Sequence, residues 1–260
     1  MVDFKSVKIP DLDGRNVLIT GASTGIGAAC AKAFAAQGAR VAVHYNSSAE
    51  AAKAVAAEIE QAGGHAALVK ADFSVSSEVR RAVEEAADSL GGLDGLINNA
   101  GGMVKRVNYE DATDADYDAI MDLNARSVVA ATRAAIPYMK EKGGFIVNTS
   151  SIAGRNGASG GAGLYGSSKA FVSNVTRGMA KELIAYNIRV NAVAPGVILT
   201  PFQERYTKPE QLDAMLATIP QGRHGVAEDC VGAYLFLASG MLSGYMIGQV
   251  LEVNGGQLMP

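Results

Sequence analysis

The stretch Asn16-Val17-Leu18-Ile19-Thr20-Gly21-Ala22-Ser23-Thr24-Gly25-Ile26-Gly27 joins a short apolar run to a glycine-rich turn and then to an alanine-rich segment. The unbroken apolar run reads as a buried strand. The alanine-rich segment, residues 25–37, reads as a helix. Gly21 permits a sharp turn between the two, and Gly25 and Gly27 allow close backbone approach. A helix opening at such a turn presents free N–H groups and the positive end of its dipole, which suits a phosphate. The spacing is G-x3-G-x-G, not the G-x-G-x-x-G of the dinucleotide fingerprint. Two readings stay open at this point: a phosphate-binding turn, and a tight strand-to-helix turn with no ligand.

Working outward, short apolar runs alternate with longer helical patterns. Strands are expected at 16–20, 40–45, 66–70, 94–98, 144–149, 188–193 and 249–253. Helices are expected at 25–37, 49–62, 78–90, 115–141, 164–186 and 227–238, with Ser47 or Ser48 capping the second. Such alternation predicts an α/β fold: a Rossmann-like, doubly wound parallel sheet of about seven strands, helices on both faces and right-handed crossovers. With no repeat or linker, residues 1–260 are expected to form one domain. Residues 100–111 and 195–223 are the least regular and are candidate substrate loops.

Of the 260 residues, 48% are hydrophobic and 19% charged, enough to bury a sizeable core. The net charge is −3 with no run of Lys or Arg, which argues against nucleic acid or an anionic membrane as main partner. Cys30 and Cys230 lie far apart in apolar helical patterns and are expected to be buried, reduced thiols. No Cys/His cluster has zinc-ligand spacing, so no metal site is expected. Residues 1–13 hold Asp3, Lys5, Lys8, Asp11 and Asp13 and no apolar core of a signal peptide, and no stretch reaches membrane-span length. The expected location is the cytoplasm.

Tyr165 and Lys169 are four residues apart in a helical pattern, hence one turn apart on one face. A free tyrosine titrates near pH 10. An adjacent ammonium favours the phenolate and is expected to lower that value. The pair is a plausible acid/base unit for a reaction at an oxygen atom.

Five features occur in order: residues 20–27, Asn98-Asn99-Ala100-Gly101, Asn124, Ser151 with Tyr165 and Lys169, and Pro195-Gly196 through Thr200. Together they resemble the one-domain branch of the short-chain dehydrogenase/reductase family, over almost the whole chain, including the tail at 248–256. The resemblance implies that Tyr165 is the general acid/base, that Lys169 holds the nicotinamide ribose and keeps Tyr165 acidic, that Ser151 donates to the substrate oxygen, and that Asn124 anchors a water behind Lys169. Ser150 is adjacent, and strand alternation lets only one of the two serines face the site; Ser151 has the matching context. The resemblance also implies contacts to cofactor from Gly21, Ser23, Thr24, Gly25, Ile26 and Gly27 at the turn, and from Tyr45, Asn46 and Ser47. Asp72 would meet the adenine amino group with Phe73 beside the ring. Asn98, Ala100 and Gly101 would support the adenine ribose and central sheet. Pro195, Gly196, Ile198 and Thr200 would hold the nicotinamide, and Tyr165 and Lys169 would touch it too.

The second strand ends His44-Tyr45-Asn46-Ser47-Ser48, with no acid to bind a ribose 2′-hydroxyl and repel a 2′-phosphate. NADP(H) is therefore favoured, with NAD(H) as the alternative. His44 is expected near the adenosine, and His65 and His224 in polar turns. The expected activity is interconversion of a ketone and a secondary alcohol. The tail is similar to that of 3-oxoacyl carrier-protein reductases and also of sugar and polyol dehydrogenases. A non-catalytic cofactor sensor is the remote alternative. A small-molecule substrate and a homotetramer or homodimer are the expected partners.

Overall fold

A computed structural model describes residues 7–259; Asp3 and Lys5 of the charged N-terminal stretch lie outside the described residues. The chain alternates β1 (Asn16–Ile19), α1 (Gly25–Ala36), β2 (Arg40–Tyr45), α2 (Ala49–Gln61), β3 (His65–Lys70), α3 (Ser76–Leu90) and β4 (Gly95–Asn98). It continues through α4 (Asp114–Met121), α5 (Ser127–Met139), β5 (Gly144–Thr149), α6 (Ala153–Asn156), α7 (Gly163–Leu183), β6 (Ile188–Pro195) and β7 (Ile198–Leu199). The last part holds α8 (Pro201–Tyr206), α9 (Pro209–Leu216), β8 (Gly225–Val226), α10 (Ala227–Ala238), α11 (Gly240–Ser243) and β9 (Val250–Val253). Seven strands form one sheet in the order β3-β2-β1-β4-β5-β6-β9, every neighbouring pair parallel. This is the Rossmann-like arrangement expected from the alternation.

Strand alternation sorts the core into two layers. Val17 and Ile19 of β1 face one side, with Phe34 of α1, Val55 of α2 and Tyr234 of α10. Leu18 faces the other, with Val83 of α3, Ala131 of α5 and Ile146 of β5. All four β1 residues are buried. Fully burying the aliphatic side chains of Val17, Leu18 and Ile19 contributes about 1.5–3 kcal/mol each, which offsets the ordering of so short a strand.

Three sequence expectations are corrected. Residues 115–141 are not one regular helix: a wide π turn, Asp122–Arg126, separates α4 from α5. The cause lies at Asn124, whose amide donates to the Ile120 carbonyl at 2.9 Å and to the Gly102 carbonyl at 2.8 Å, drawing the backbone out of step. His65 opens β3 rather than sitting in a turn. The irregular stretch 195–223 contains two short helices, α8 and α9, each begun by a proline whose missing N–H costs nothing at a first turn. No helix among the described residues is long and apolar enough to cross a membrane.

Candidate active site

β1 pairs with β2 on one side and β4 on the other. The chain thus leaves β1 in one direction and returns on the opposite side, and a crevice opens beyond the strand ends at such a switch. A cleft of about 790 Å³ occupies that position. It runs from the turn after β1, past the ends of β4, β5 and β6, to α8.

At one end the glycine turn is tied down by side chains from distant segments. Gly21, at φ +63°, donates its N–H to His44 Nδ1 at 2.9 Å. That bond makes Nδ1 the acceptor, so Nε2 carries the proton and donates to the Ala71 carbonyl at 3.1 Å. Phe73 covers the same imidazole, ring centroids 4.0 Å apart. Burial lowers the His44 pKa to about 4, so the ring is neutral at physiological pH. Asn99 Nδ2 donates to the carbonyls of Thr20 and Gly21 at 2.9 and 3.1 Å. Thr20 Oγ1 accepts from the N–H groups of Asn99 and Ala100 at 2.9 and 2.8 Å. A Cβ on Gly27 would stand 2.2 Å from the Gly21 oxygen, so only glycine lets α1 pack this closely on the turn. The first turn of α1 has neither a capping side chain nor an acidic residue. Its N–H groups are left for a ligand, and an anion suits them.

At the centre, Tyr165 and Lys169 lie one turn apart on α7, with Lys169 Nζ 5.8 Å from the Tyr165 ring centroid. Tyr165 borders the cleft half-buried, with Ser151 beside its hydroxyl; Ser151 Oγ itself accepts from the Ala153 N–H at 3.1 Å. Burial pushes the phenol up to about 12, and the neighbouring Ser151 only partly opposes this. The expected lowering by Lys169 is therefore not met in this structure. The ammonium is itself buried, donates to the Thr149 carbonyl at 2.9 Å, and has its own pKa lowered by desolvation to about 8. Ser150 bonds the Lys169 carbonyl and Ser173 Oγ, which fixes α7 against β5 and leaves Ser151 toward Tyr165. Asn124 is fully buried; its Oδ1 accepts from Gly102 N–H at 3.0 Å. A Cβ on Gly101 would stand 2.8 Å from Asn124 Oδ1 and 3.2 Å from Lys169 Nζ, so the Gly101 backbone runs between the two.

At the far end, Phe202 lies 5.7 Å from Tyr165 and 5.1 Å from Tyr206, ring to ring. Met103, Leu123, Ile152 and Met215 add apolar surface. Arg106 reaches across the opening, donating to the Tyr206 carbonyl at 2.6 Å and the Gly160 carbonyl at 2.9 Å. Among the described residues, no aspartate or glutamate lines the cleft, and Arg106, Lys169 and Arg205 do.

A family model described as "Enoyl-(Acyl carrier protein) reductase" matches residues 21–257. A short chain dehydrogenase from Burkholderia cenocepacia J2315, solved in complex with NADP, superposes with a TM-score of 0.88 at 37% identity, covering 95% of this chain and 98% of that one. The chain belongs to the short-chain dehydrogenase/reductase family. As a member it is an oxidoreductase. It is 39% identical over 253 residues to a 3-oxoacyl-[acyl-carrier-protein] reductase of Synechocystis sp., covering 95% of this chain and 98% of the relative. It is also similar to the solved NADH-dependent reductase A1-R' responsible for alginate metabolism: 38% identity, TM-score 0.88, 96% and 100% coverage.

In this family member, nearly all the residues singled out from sequence meet at one cleft. Gly21, Ser23, Thr24, Gly25, Ile26, Tyr45, Asn46, Ser47, Phe73, Ala100, Gly101, Ser151, Tyr165, Lys169, Pro195, Gly196, Ile198 and Thr200 line it. Gly27 and Asn124 stand behind the wall. Asp72 does not reach it: its carboxylate accepts from Ser74 N–H and Oγ at 2.9 and 2.7 Å, closing a local turn. Asn98 is buried and bonds Asn148 and Thr132, so it serves the sheet. Arg106 and Phe202 come from the two candidate substrate loops of the sequence and do line the cleft, whereas the tethering roles of His44 and Asn99 went unread. The only signal for Asn99 was its place directly after Asn98, where strand alternation turns the second side chain to the opposite face.

Proposed function

We propose that the chain reduces the ketone of a 3-oxoacyl thioester to a secondary alcohol with NADP(H). The observation that carries this is the convergence of Tyr165, Ser151 and Lys169 in one cleft that continues to the glycine turn, with Lys169 Nζ 5.8 Å from the Tyr165 ring centroid. The cradle behind Gly27 and the uncapped start of α1 fit a pyrophosphate. Tyr45, Asn46 and Ser47 offer a 2′-phosphate polar groups and no repelling acid, so NADP(H) is favoured over NAD(H). A bound nicotinamide supplies the hydride.

The residues do the rest. As the carbonyl carbon gains the hydride, Tyr165 gives its proton to the oxygen, and Ser151 donates a hydrogen bond to that same oxygen as charge develops there. A phenol held near 12 is fully protonated at neutral pH, which is the form reduction needs. Lys169, charged below about 8, stabilises the phenolate left behind. Asn124 holds Gly102 with both amide ends, and the remaining Oδ1 lone pair suits a water directed at Lys169.

The apolar wall of Phe202, Leu123 and Met215, with no carboxylate among the described lining residues to accept sugar hydroxyls, fits an acyl chain better than a polyol. We read residues 1–260 as one cytoplasmic domain that assembles as a homotetramer or homodimer through α5 and α7, which expose Val129 and Phe171. Turnover of a 3-oxobutyryl thioester, read by loss of reduced-nicotinamide absorbance with NADPH and then NADH, tests the reading. NADPH-dependent turnover is expected. Its absence, or a preference for NADH, would contradict the corresponding half.

A further inference from the structure

The three cations of the cleft differ in what they already hold. Lys169 donates to the Thr149 carbonyl and backs Tyr165. Arg106 spends two N–H groups on the carbonyls of Tyr206 and Gly160, which ties α8 to the loop before α7. Arg205 makes no hydrogen bond or ion pair among the described residues; its guanidinium lies over the Tyr206 ring, 5.9 Å from the centroid. A guanidinium stacked on an aromatic face keeps its N–H edge free for a planar or tetrahedral oxyanion.

Three aromatic contacts connect this free cation to the reacting centre: Tyr165 to Phe202, Phe202 to Tyr206, and Tyr206 to Arg205. A ligand with its ketone at Tyr165 that follows this wall passes over two rings and ends at Arg205. Arg205 stands exposed at the rim of the cleft, and no carboxylate among the described lining residues competes for it, so an anionic ligand can pair with it where a neutral one cannot. We propose that Arg205 is a specificity-determining residue that binds an oxyanion on the non-reacting end of the substrate. The proposal rests on the carbonyl-reductase reading of the cleft and deepens it: the substrate is an oxo compound carrying an anion beyond an apolar or extended segment. The anion is either a free carboxylate on the oxo compound or the phosphate of a thioester's carrier arm.

Matched substrate pairs test this. One pair is an oxo acid and its methyl ester. The other is a 3-oxoacyl thioester of phosphopantetheine and of dephosphorylated pantetheine. With NADPH, the anionic member of at least one pair is expected to show a kcat/KM about tenfold or more higher, through KM, as one charged contact is worth about 1.4 kcal/mol or more. The pair showing the preference identifies the source of the anion. Arg205→Ala should abolish the preference, Arg205→Lys should restore part of it, and added salt should shrink it in the wild type. Equal kcat/KM within both pairs, or a preference that survives Arg205→Ala, overturns the proposal. Turnover of the neutral members upholds the reductase reading whatever the pairs show; no turnover of any of the four overturns both.

Discussion

The two ends of the cleft are built differently. At the glycine turn, His44, Thr20 and Asn99 hold backbone atoms of a segment far away in the chain, with Thr20 and His44 buried and Asn99 half-buried at the cleft. At the mouth, two short helices have no buried residue, and one of them, α8, is tied by Arg106 to the loop before α7 through two backbone carbonyls. The first design fixes one geometry; the second leaves the wall free to change shape and residue without disturbing the sheet. A family that keeps one reaction and varies its substrate needs this division.

Gly27→Ala forces a methyl against the Gly21 oxygen and Asn99 Nδ2. It should cost about 1–3 kcal/mol of stability and weaken NADPH binding up to about a hundredfold. Calorimetry and nucleotide fluorescence check this; unchanged Tm and Kd would show that the turn is not the rigid element described.

His44→Leu comes next. It strands the Gly21 N–H and should cost about 1–3 kcal/mol. It also carries a pH signature. The folded pKa of about 4 lies below the ordinary value, so the unfolded chain takes up a proton first as pH falls. Wild-type stability should therefore drop between about pH 6.5 and about pH 4, by up to about 3 kcal/mol from this group. Urea unfolding at both ends of that window should show this part of the slope missing in His44→Leu; identical slopes would contradict the neutral clamp.

At the centre, Lys169 loses its proton above about 8 while Tyr165 stays protonated to about 12. The kcat/KM for reduction should fall with a single limb above about pH 8, approaching tenfold per pH unit. A flat profile to pH 10, roughly the ordinary lysine value, would remove the ammonium from the mechanism.

The mouth should respond least and most selectively. Arg106→Ala frees α8 from the loop before α7. It should raise substrate KM about tenfold, the worth of one charged hydrogen bond, and leave the NADPH Kd unchanged. A matching loss of NADPH affinity would mean that the two ends are one unit.

Much of this was legible in the chain itself. Val17 to Gly27 encodes strand, turn and helix with local signals, and Tyr165 with Lys169 needs only helical spacing. The π turn at Asn124 was not, because 115–141 keeps an unbroken helical pattern and the kink comes from a side chain bonding Gly102 across a loop. His44 and Asn99 act over 23 and 79 residues of sequence, and no local pattern reports such a bond. Helices α8 and α9 left only faint marks, Pro201 and Pro209 at their first turns. The tyrosine was legible as to identity and not as to state: spacing alone suggested a lowered pKa, and burial reversed the sign.

The most direct test of the account is Tyr165→Phe, assayed for NADPH-dependent reduction of a 3-oxoacyl thioester and, separately, for NADPH binding. The predicted result is a fall in kcat of about 10²–10⁴-fold with binding of NADPH retained. A Tyr165→Phe protein that reduces the ketone at the wild-type rate would contradict it.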